Sequence, residues 1–313
     1  MGRVIHTGQA LVDETVEVGR LPRRGANEMA ASYARAAGGA VNILLAAVRQ
    51  GASTVHAGAH GRGSNGDLIR EALEAEGVTL ASAPVEELDT GICFVMVEPS
   101  AERTFVTTLG AERRLTVEML AASEPVAGDL VCVTGYSLAV ASTREPLLEW
   151  LATLASGVSV VLDPGDAFAG LDARLRETMR GLTSVWTGNQ EESSALTGKT
   201  GMAAAAASVV RMLGDGEGPG RVAIVRDGPR GCAVAIGGEV TEVAGFPQRP
   251  VDTNGAGDAH TGVLVAGVAA GLGWVEAARR ANAGAALKVT RRGPATAPTA
   301  AEIDEFLSRF SVL

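Results

Sequence analysis

An α/β fold is predicted for this chain: a mostly parallel, Rossmann-like sheet held in three layers between helices on both faces. Two observations carry the prediction. Short apolar, β-branched runs alternate with Ala- and Leu-rich segments of helical period, the rhythm of buried strand and amphipathic crossover helix. The 313 residues include 46% hydrophobic ones, ample for a large core, and no break in composition divides them. One domain over residues 1–313 is therefore expected.

Taken in order, VIHTG from Val4 is the first strand run, followed by GQALVD, the helical AVNILLAAVRQG from Ala40, TVHAGAHG from Thr54 and the helical DLIREALEAEG from Asp67. The alternation resumes at Asp129 with DLVCVTG, REPLLEWLATLASG, VSVVLDPG, LDARLRETMRG, SVWTGN, AAAAASVVRMLG, RVAIVRDG and CAVAIGG. DGEGPG, Asp215 to Gly220, reads as an exposed loop, and the alanine run at Ala203 to Ala207 is strong helix former. Two segments, residues 14–36 and 90–110, break the rhythm with period-two alternation and turn residues. They are expected to pair into a small sheet that projects from the main body and covers a site.

A net charge of −9 and a pI near 5.1 disfavour a nucleic-acid or anionic-membrane surface, because phosphate polymers select basic faces. A small-molecule partner fits better. Cys93, Cys132 and Cys232 stand singly in apolar stretches without CxxC spacing and read as reduced core thiols of a cytosolic, cytoplasmic protein. No signal peptide and no run of 18 apolar residues is found. His6, His56, His60 and His260 are scattered along the sequence without metal-ligand spacing, and Trp150, Trp186 and Trp274 read as core.

Three nucleotide-type signatures occur. GKT at Gly198 to Thr200 resembles the end of a P-loop, but the glycine required five residues earlier is Ser193. GRGSNG, Gly61 to Gly66, matches GxGxxG between a strand and a helix, yet no acidic residue ends a following strand at the proper distance. It reads as a glycine-rich turn, with dinucleotide binding as the alternative. PVDTNGAGDAHTG, Pro250 to Gly262, says more. Gly255, Ala256 and Gly257 would point backbone N–H groups outward at a helix start, where partial positive charge collects and a phosphoryl group binds. A carboxylate in the same turn, Asp258, suits a base that accepts the proton of an attacking hydroxyl; a plain helix cap is the bland reading.

DTNGAGD resembles the C-terminal DTxGAGD signature of the ribokinase-like (PfkB) carbohydrate kinase family. GGAVNILLAAVRQGA from Gly38 is similar to its GG-x-x-N sugar-site signature, NQEE from Asn189 to its N-x-x-E motif, and ANAGAALKVTRRG from Ala281 to the stretch closing its adenine pocket and monovalent-cation site. The four motifs fall in the family's order across nearly the whole chain. The resemblance implies a ribokinase-like fold with a small β-sheet lid, able to mediate a homodimer. It implies Asp258 as catalytic base beside a Gly255, Ala256 and Gly257 anion hole. Asp13 and Asn42 would bind sugar hydroxyls, with Gly38 and Gly39 letting the sugar lie close to the backbone. Asn189 and Glu192 would organise Mg²⁺, Glu192 through water. Asp227, Gly228 and Gly231 would border the nucleotide, Asn282 would lie by the adenine, and Asp252 would belong to a K⁺ site. Arg226 departs from the family, standing where many relatives have a small hydroxyl residue.

The expected activity is ATP-dependent phosphorylation of a hydroxyl of a sugar or nucleoside. A sugar-phosphate acceptor is the alternative within the family, with Arg23, Arg24, Arg35 and Arg103 as the arginines available to clamp its phosphate. An NAD-dependent oxidoreductase using GRGSNG and a non-catalytic sugar or nucleotide sensor are the alternatives outside it.

Overall fold

The computed structural model describes residues 1–100, 102–214 and 220–310. The first half supplies β1 (Val4–His6), β2 (Ala10–Glu17), β3 (Ser32–Gly39), α1 (Ala40–Val48), β4 (Thr54–His56), α2 (Ser64–Ala75), β5 (Thr79–Leu80), β6 (Ile92–Val97), β7 (Arg103–Thr108), α3 (Val117–Ala121), β8 (Leu130–Thr134), α4 (Gly135–Ala139) and α5 (Ala141–Leu151). The second half continues with β9 (Ser159–Asp163), α6 (Ala173–Leu182), β10 (Val185–Asn189), α7 (Gln190–Thr197), α8 (Met202–Leu213), β11 (Val222–Arg226), β12 (Gly231–Ile236), β13 (Glu239–Ala244), α9 (Ala256–Ala269), α10 (Trp274–Lys288) and α11 (Ala300–Ser308).

The large sheet runs β13-β12-β11-β10-β9-β8-β1-β4-β5, and its strands from β11 to β5 pair in parallel. Successive side chains on a strand enter opposite layers. Ile5, Val131 and Val133 join one core with Leu147, Trp150 and Val209, whereas Val4, Leu130 and Cys132 join another with Leu264, Ala281 and Ile303. Those two cores, one per face, make the three layers that the alternating runs predict.

The chain departs from the sequence reading at one edge. CAVAIGG does not open another crossover. β12 runs antiparallel to β11 and turns through Gly237 and Gly238, both at positive φ, into β13, antiparallel again. Paired glycines supply the backbone twist that a tight hairpin needs, and the alternating VTEV that follows was its unread signal.

The two rhythm-breaking segments form a second sheet of order β3-β2-β6-β7, in which β2 pairs antiparallel with β3 and parallel with β6. The pairing extends past the 14–36 span, to Ala10 and Gly39, so β3 passes directly into α1. A third apolar cluster, with Val12, Val41, Leu44, Ile69 and Leu73, seats this sheet on α1 and α2.

Cys132 and Cys232 are buried, but Cys93 lies half-buried on β6, opposite Asp13 in the register, where it accepts a hydrogen bond from Thr107 Oγ1 at 3.3 Å. It is a small-sheet residue rather than a core thiol. The histidines that look scattered in the sequence gather in space. The β1–β4 register sets His6 beside His56, and the His60 ring is 6.2 Å from that of His56. Burial, then repulsion from His56, holds His6 down at about 3, and burial, then repulsion from His60, holds His56 at about 4, so both are neutral packing groups at ordinary pH. Among the described residues, no helix is long and apolar enough to cross a membrane. The DGEGPG loop, apart from Gly220, lies outside the described residues.

Candidate active site

The parallel strands β8 to β11 end on one edge of the sheet, where a topological crevice forms outside their carboxyl ends. Asp163 is the last residue of β9, Asn189 of β10 and Arg226 of β11. All three line a cavity of about 590 Å³, together with Tyr136, Glu192, Gly228, Gly231, Ala256, Gly257, Asp258, His260 and Asn282. That volume is of the size that small-molecule sites occupy.

α9 forms one wall. Its N-cap, Gly255, is left-handed at φ 73°, and a β-carbon there would lie 2.6 Å from the Pro294 carbonyl oxygen, so glycine is required twice over. The turn brings the start of a 14-residue helix to the cavity through Ala256 and Gly257, with Asp258 in its first turn and the Ala256 N–H on the Thr253 carbonyl at 3.2 Å. Asp258 Oδ2 accepts a hydrogen bond from Asn42 Nδ2 at 2.9 Å, which ties α9 to α1. Burial raises Asp258 to about 6; Asp163 repels it further, while the Asn42 bond, Arg226 and Lys288 pull back. A carboxylate held there is ionised at neutral pH and basic enough to take a proton.

Behind Asp258 is a second polar group. Asp13, on β2, is also raised to about 6, by burial first and by the Asp258 charge second. A β-carbon at Gly38 would strike the Asp13 carboxylate, and one at Gly39 the Gln9 carbonyl, so the GG pair keeps this space open. Asn42 Oδ1 is buried without a partner. An orphaned acceptor of this kind calls for a donor from outside the chain.

On the opposite side of the cavity, Asn189 and Glu192 form a capping box on α7: Asn189 Oδ1 accepts from the Glu192 N–H at 2.8 Å, and Glu192 Oε2 from the Asn189 N–H at 2.7 Å. Burial raises Glu192, and the neighbouring Asp163 raises it further. Arg226 bridges the two walls, donating to the Gly257 carbonyl at 3.1 Å and Thr261 Oγ1 at 2.7 Å, with Asp163 Oδ2 at 3.4 Å. The guanidinium sets a fixed positive charge next to the glycine turn.

The remaining predicted residues divide. Gly228 and Gly231 border the cavity, whereas Asp227 holds their turn, its N–H on the Gly231 carbonyl at 2.7 Å and its carboxylate on Arg230 at 2.5 Å. Asn282 lines the cavity, but its amide donates to the Val243 and Ala244 carbonyls at 3.0 and 3.2 Å and its oxygen meets His260 Nε2 at 3.1 Å. From the cavity wall, its polar atoms brace β13 against α10 and α9. Asp252 is outside the cavity wall, laced to Arg103, Asn254 and Gly293. Asp163 and Lys288 are the members that the sequence reading passed over.

GRGSNG is a structural turn. The N–H groups of Asn65 and Gly66 at the start of α2 donate to the Asp89 carboxylate at 3.1 and 2.8 Å, and a β-carbon at Gly66 would collide with the Gly61 carbonyl. The place a pyrophosphate would take is filled by the chain's own carboxylate, which removes the basis of the dinucleotide-dependent reading. Gly66→Ala is expected to destabilise the fold by about 1–3 kcal/mol, read as a lower denaturant midpoint, with unchanged turnover per folded molecule. Lost turnover in a stable variant would contradict this structural role.

Comparison with known proteins agrees with this geometry. The family model described as pfkB family carbohydrate kinase matches residues 3–301. An uncharacterized sugar kinase of Escherichia coli, YegV, is 31% identical over 304 residues, covering 96% of this chain and 92% of its own. Arabidopsis thaliana ribokinase, solved with ribose and ATP, is 25% identical with a TM-score of 0.75, covering 98% of this chain and 99% of its own. A fructokinase double mutant from Vibrio cholerae, solved with fructose, ADP and potassium ion, is 26% identical with a TM-score of 0.78, covering 98% of each chain. With a glycine turn, a carboxylate and a crevice of nucleotide size in one place, and the family model spanning nearly its whole length, the chain belongs to the pfkB family of carbohydrate kinases.

Proposed function

We propose that this kinase transfers the γ-phosphoryl group of ATP to a hydroxyl of an unphosphorylated sugar or nucleoside, with Asp258 as base and the turn Gly255, Ala256 and Gly257 as anion hole. One observation carries the reading: the Asp258 carboxylate borders the large cavity on one side and meets Asn42 on the other, with Asp13 close behind. A base so placed adjoins both the phosphoryl path and the acceptor.

The acceptor's hydroxyls would bond to Asp13 and to the orphaned Asn42 Oδ1. Asp258 takes the proton of the attacking hydroxyl, and the N–H groups of the turn, with Arg226, receive the charge spreading over the phosphoryl oxygens. The small sheet, joined to α1 and α2, excludes the water that would otherwise compete as nucleophile.

Magnesium fits the wall formed by Asp163 and Glu192. Among the described residues no cluster of three or more metal-ligating side chains exists, but two oxygen-donor carboxylates repel each other across the same cavity. That is the donor set of an ion that keeps most of its water and takes its other ligands from phosphates. When bound, Mg²⁺ neutralises phosphate charge. Potassium does not fit at Asp252: one carboxylate oxygen takes Asn254 N–H and Arg103, the other takes Gly293 N–H, and Lys288 Nζ donates to the main-chain carbonyl.

Among the described residues, the pairing of Arg35 and Arg103 with the chain's own carboxylates supports an unphosphorylated substrate. Arg35 pairs with Glu14 at 3.4 Å and Arg103 with Asp252 at 2.5 Å, Arg23 and Arg24 are exposed, and Asp13 and Asp258 would repel a second phosphate. ADP release measured across sugars, sugar phosphates and nucleosides should find turnover with one of the uncharged acceptors. Turnover confined to sugar phosphates would overturn the acceptor assignment, and binding of both ligands without ADP would overturn catalysis. Since the base works only when ionised and its carboxyl is raised to about 6, kcat should climb as pH rises through about 6 and then level off. A kcat independent of pH from 5 to 8, to within about twofold, would argue against Asp258 as base.

A further inference from the structure

The fully buried Lys288 ends α10 in the place where the family resemblance puts a monovalent cation, and no part of the mechanism above uses it. Its Nζ donates to the Asp252 carbonyl at 2.9 Å. Asp252 opens the turn proposed as the anion hole, and its main chain and carboxylate tie that turn to the segment after α10. The N–H groups of Val251 and Asp252 reach the Val289 carbonyl at 2.7 and 3.1 Å, the Asp252 carboxylate holds Asn254 and Gly293 N–H groups at 2.9 Å each, and the Pro294 carbonyl abuts Gly255. The two segments that make the floor of the turn are tied through these bonds, and the Lys288 ammonium adds one to the Asp252 carbonyl.

We propose that the Lys288 ammonium is a tethered replacement for a monovalent cation, holding the Asp252 carbonyl beneath the Gly255 turn and adding positive charge behind it, so that catalysis needs no free K⁺. An ammonium group and K⁺ have similar size and charge and bind the same carbonyl oxygens. Placed on a side chain, the charge carries no dissociation equilibrium. Arg103 already neutralises the Asp252 carboxylate from β7 at 2.5 Å, and adding a free cation would set three positive charges around one aspartate. The field of Lys288 also reaches Asp258, favouring its ionised form. Lys288 touches no reacting atom and is a positioning residue.

The proposal rests on the kinase reading, and its test separates the two. ADP release by the parent protein is measured in choline chloride and in KCl at equal ionic strength, beside melting temperatures in the same salts. The parent should show the same kcat and the same Tm in both. Lys288→Ala, which leaves room for an ion, should lose kcat on the order of 10²-fold in choline with little change in KM, and recover it in KCl. Lys288→Met, which fills the space, should stay impaired in both. A parent that needs K⁺, or whose Tm rises specifically with K⁺, overturns the proposal, as does a folded Lys288→Ala that K⁺ does not rescue. If the Ala variant does not fold, the parent's salt comparison still decides. Should the parent release no ADP with any acceptor, the kinase reading fails while the melting comparison still tests the cation.

Discussion

Asp258→Asn is expected to lower kcat by about 10²- to 10⁴-fold, the range a positioned general base contributes, with KM for ATP nearly unchanged. The substitution keeps the shape of the side chain, and Asn42 Nδ2 can still donate to an oxygen at the same place. The fold loses nothing in exchange. Burial raises the Asp258 carboxyl to about 6, above its unfolded value of 3.8, so the ionised carboxylate weakens the folded state increasingly as pH rises through that window. Removing it should leave Tm at pH 8 equal to or above that of the parent. Steady-state kinetics with a melting curve at pH 8 checks both halves. A variant that turns over normally excludes Asp258 as base, and one that loses stability shows that the side chain was serving the fold.

Gly255→Ala is the second large effect. The added methyl meets the Pro294 carbonyl oxygen at 2.6 Å, and the left-handed φ of 73° costs an alanine about 1–3 kcal/mol. The turn and the Gly293–Pro294 segment cannot both keep their places, so the N–H groups of the proposed anion hole move. A loss on the order of 10²- to 10³-fold in kcat is expected, as for removal of an oxyanion donor, together with a lower Tm. Gly257→Ala is the matched comparison: its β-carbon would have nothing nearer than the Arg226 guanidinium at 3.7 Å, at an ordinary helical φ, so its Tm should stay near that of the parent. If Gly255→Ala kept full turnover, the turn's geometry would not be what binds the phosphoryl group.

Much of this site was legible because its parts are glycine turns and strand ends. A glycine that must adopt positive φ, as Gly255 does, announces a sharp turn in any sequence, and the carboxylate beside it then has few plain explanations. Asn42 stood out as a polar residue on an apolar helix, and in the structure its amide nitrogen reaches Asp258 while its oxygen is buried without a partner. Asp163 was passed over although it ends the run VSVVLD, because the sequence does not say which strand ends face the same crevice. The rule that ligands bind at the carboxyl edge of a parallel sheet would have singled it out with Asn189 and Arg226. Lys288 was hidden differently. It lies on the stripe Ala277, Ala281, Gly284, Lys288, the buried face of α10, so the helical period alone marks it as a lysine with nowhere to go but inward. Asn282 reads the same way in sequence, yet its bonds go to the backbone of β13, and only three-dimensional partners separate bracing from binding. The β12–β13 hairpin was missed because the expectation of crossovers outweighed the Gly237–Gly238 turn.

ADP formation by the purified protein, followed with ATP and a panel of uncharged sugars and nucleosides and repeated with Asp258→Asn, tests the central claim most directly. The account predicts ADP release that depends on one class of acceptor in the parent and nearly vanishes in the variant while ATP is still bound. Equal ADP release by parent and variant, or none from either with any acceptor, would contradict it.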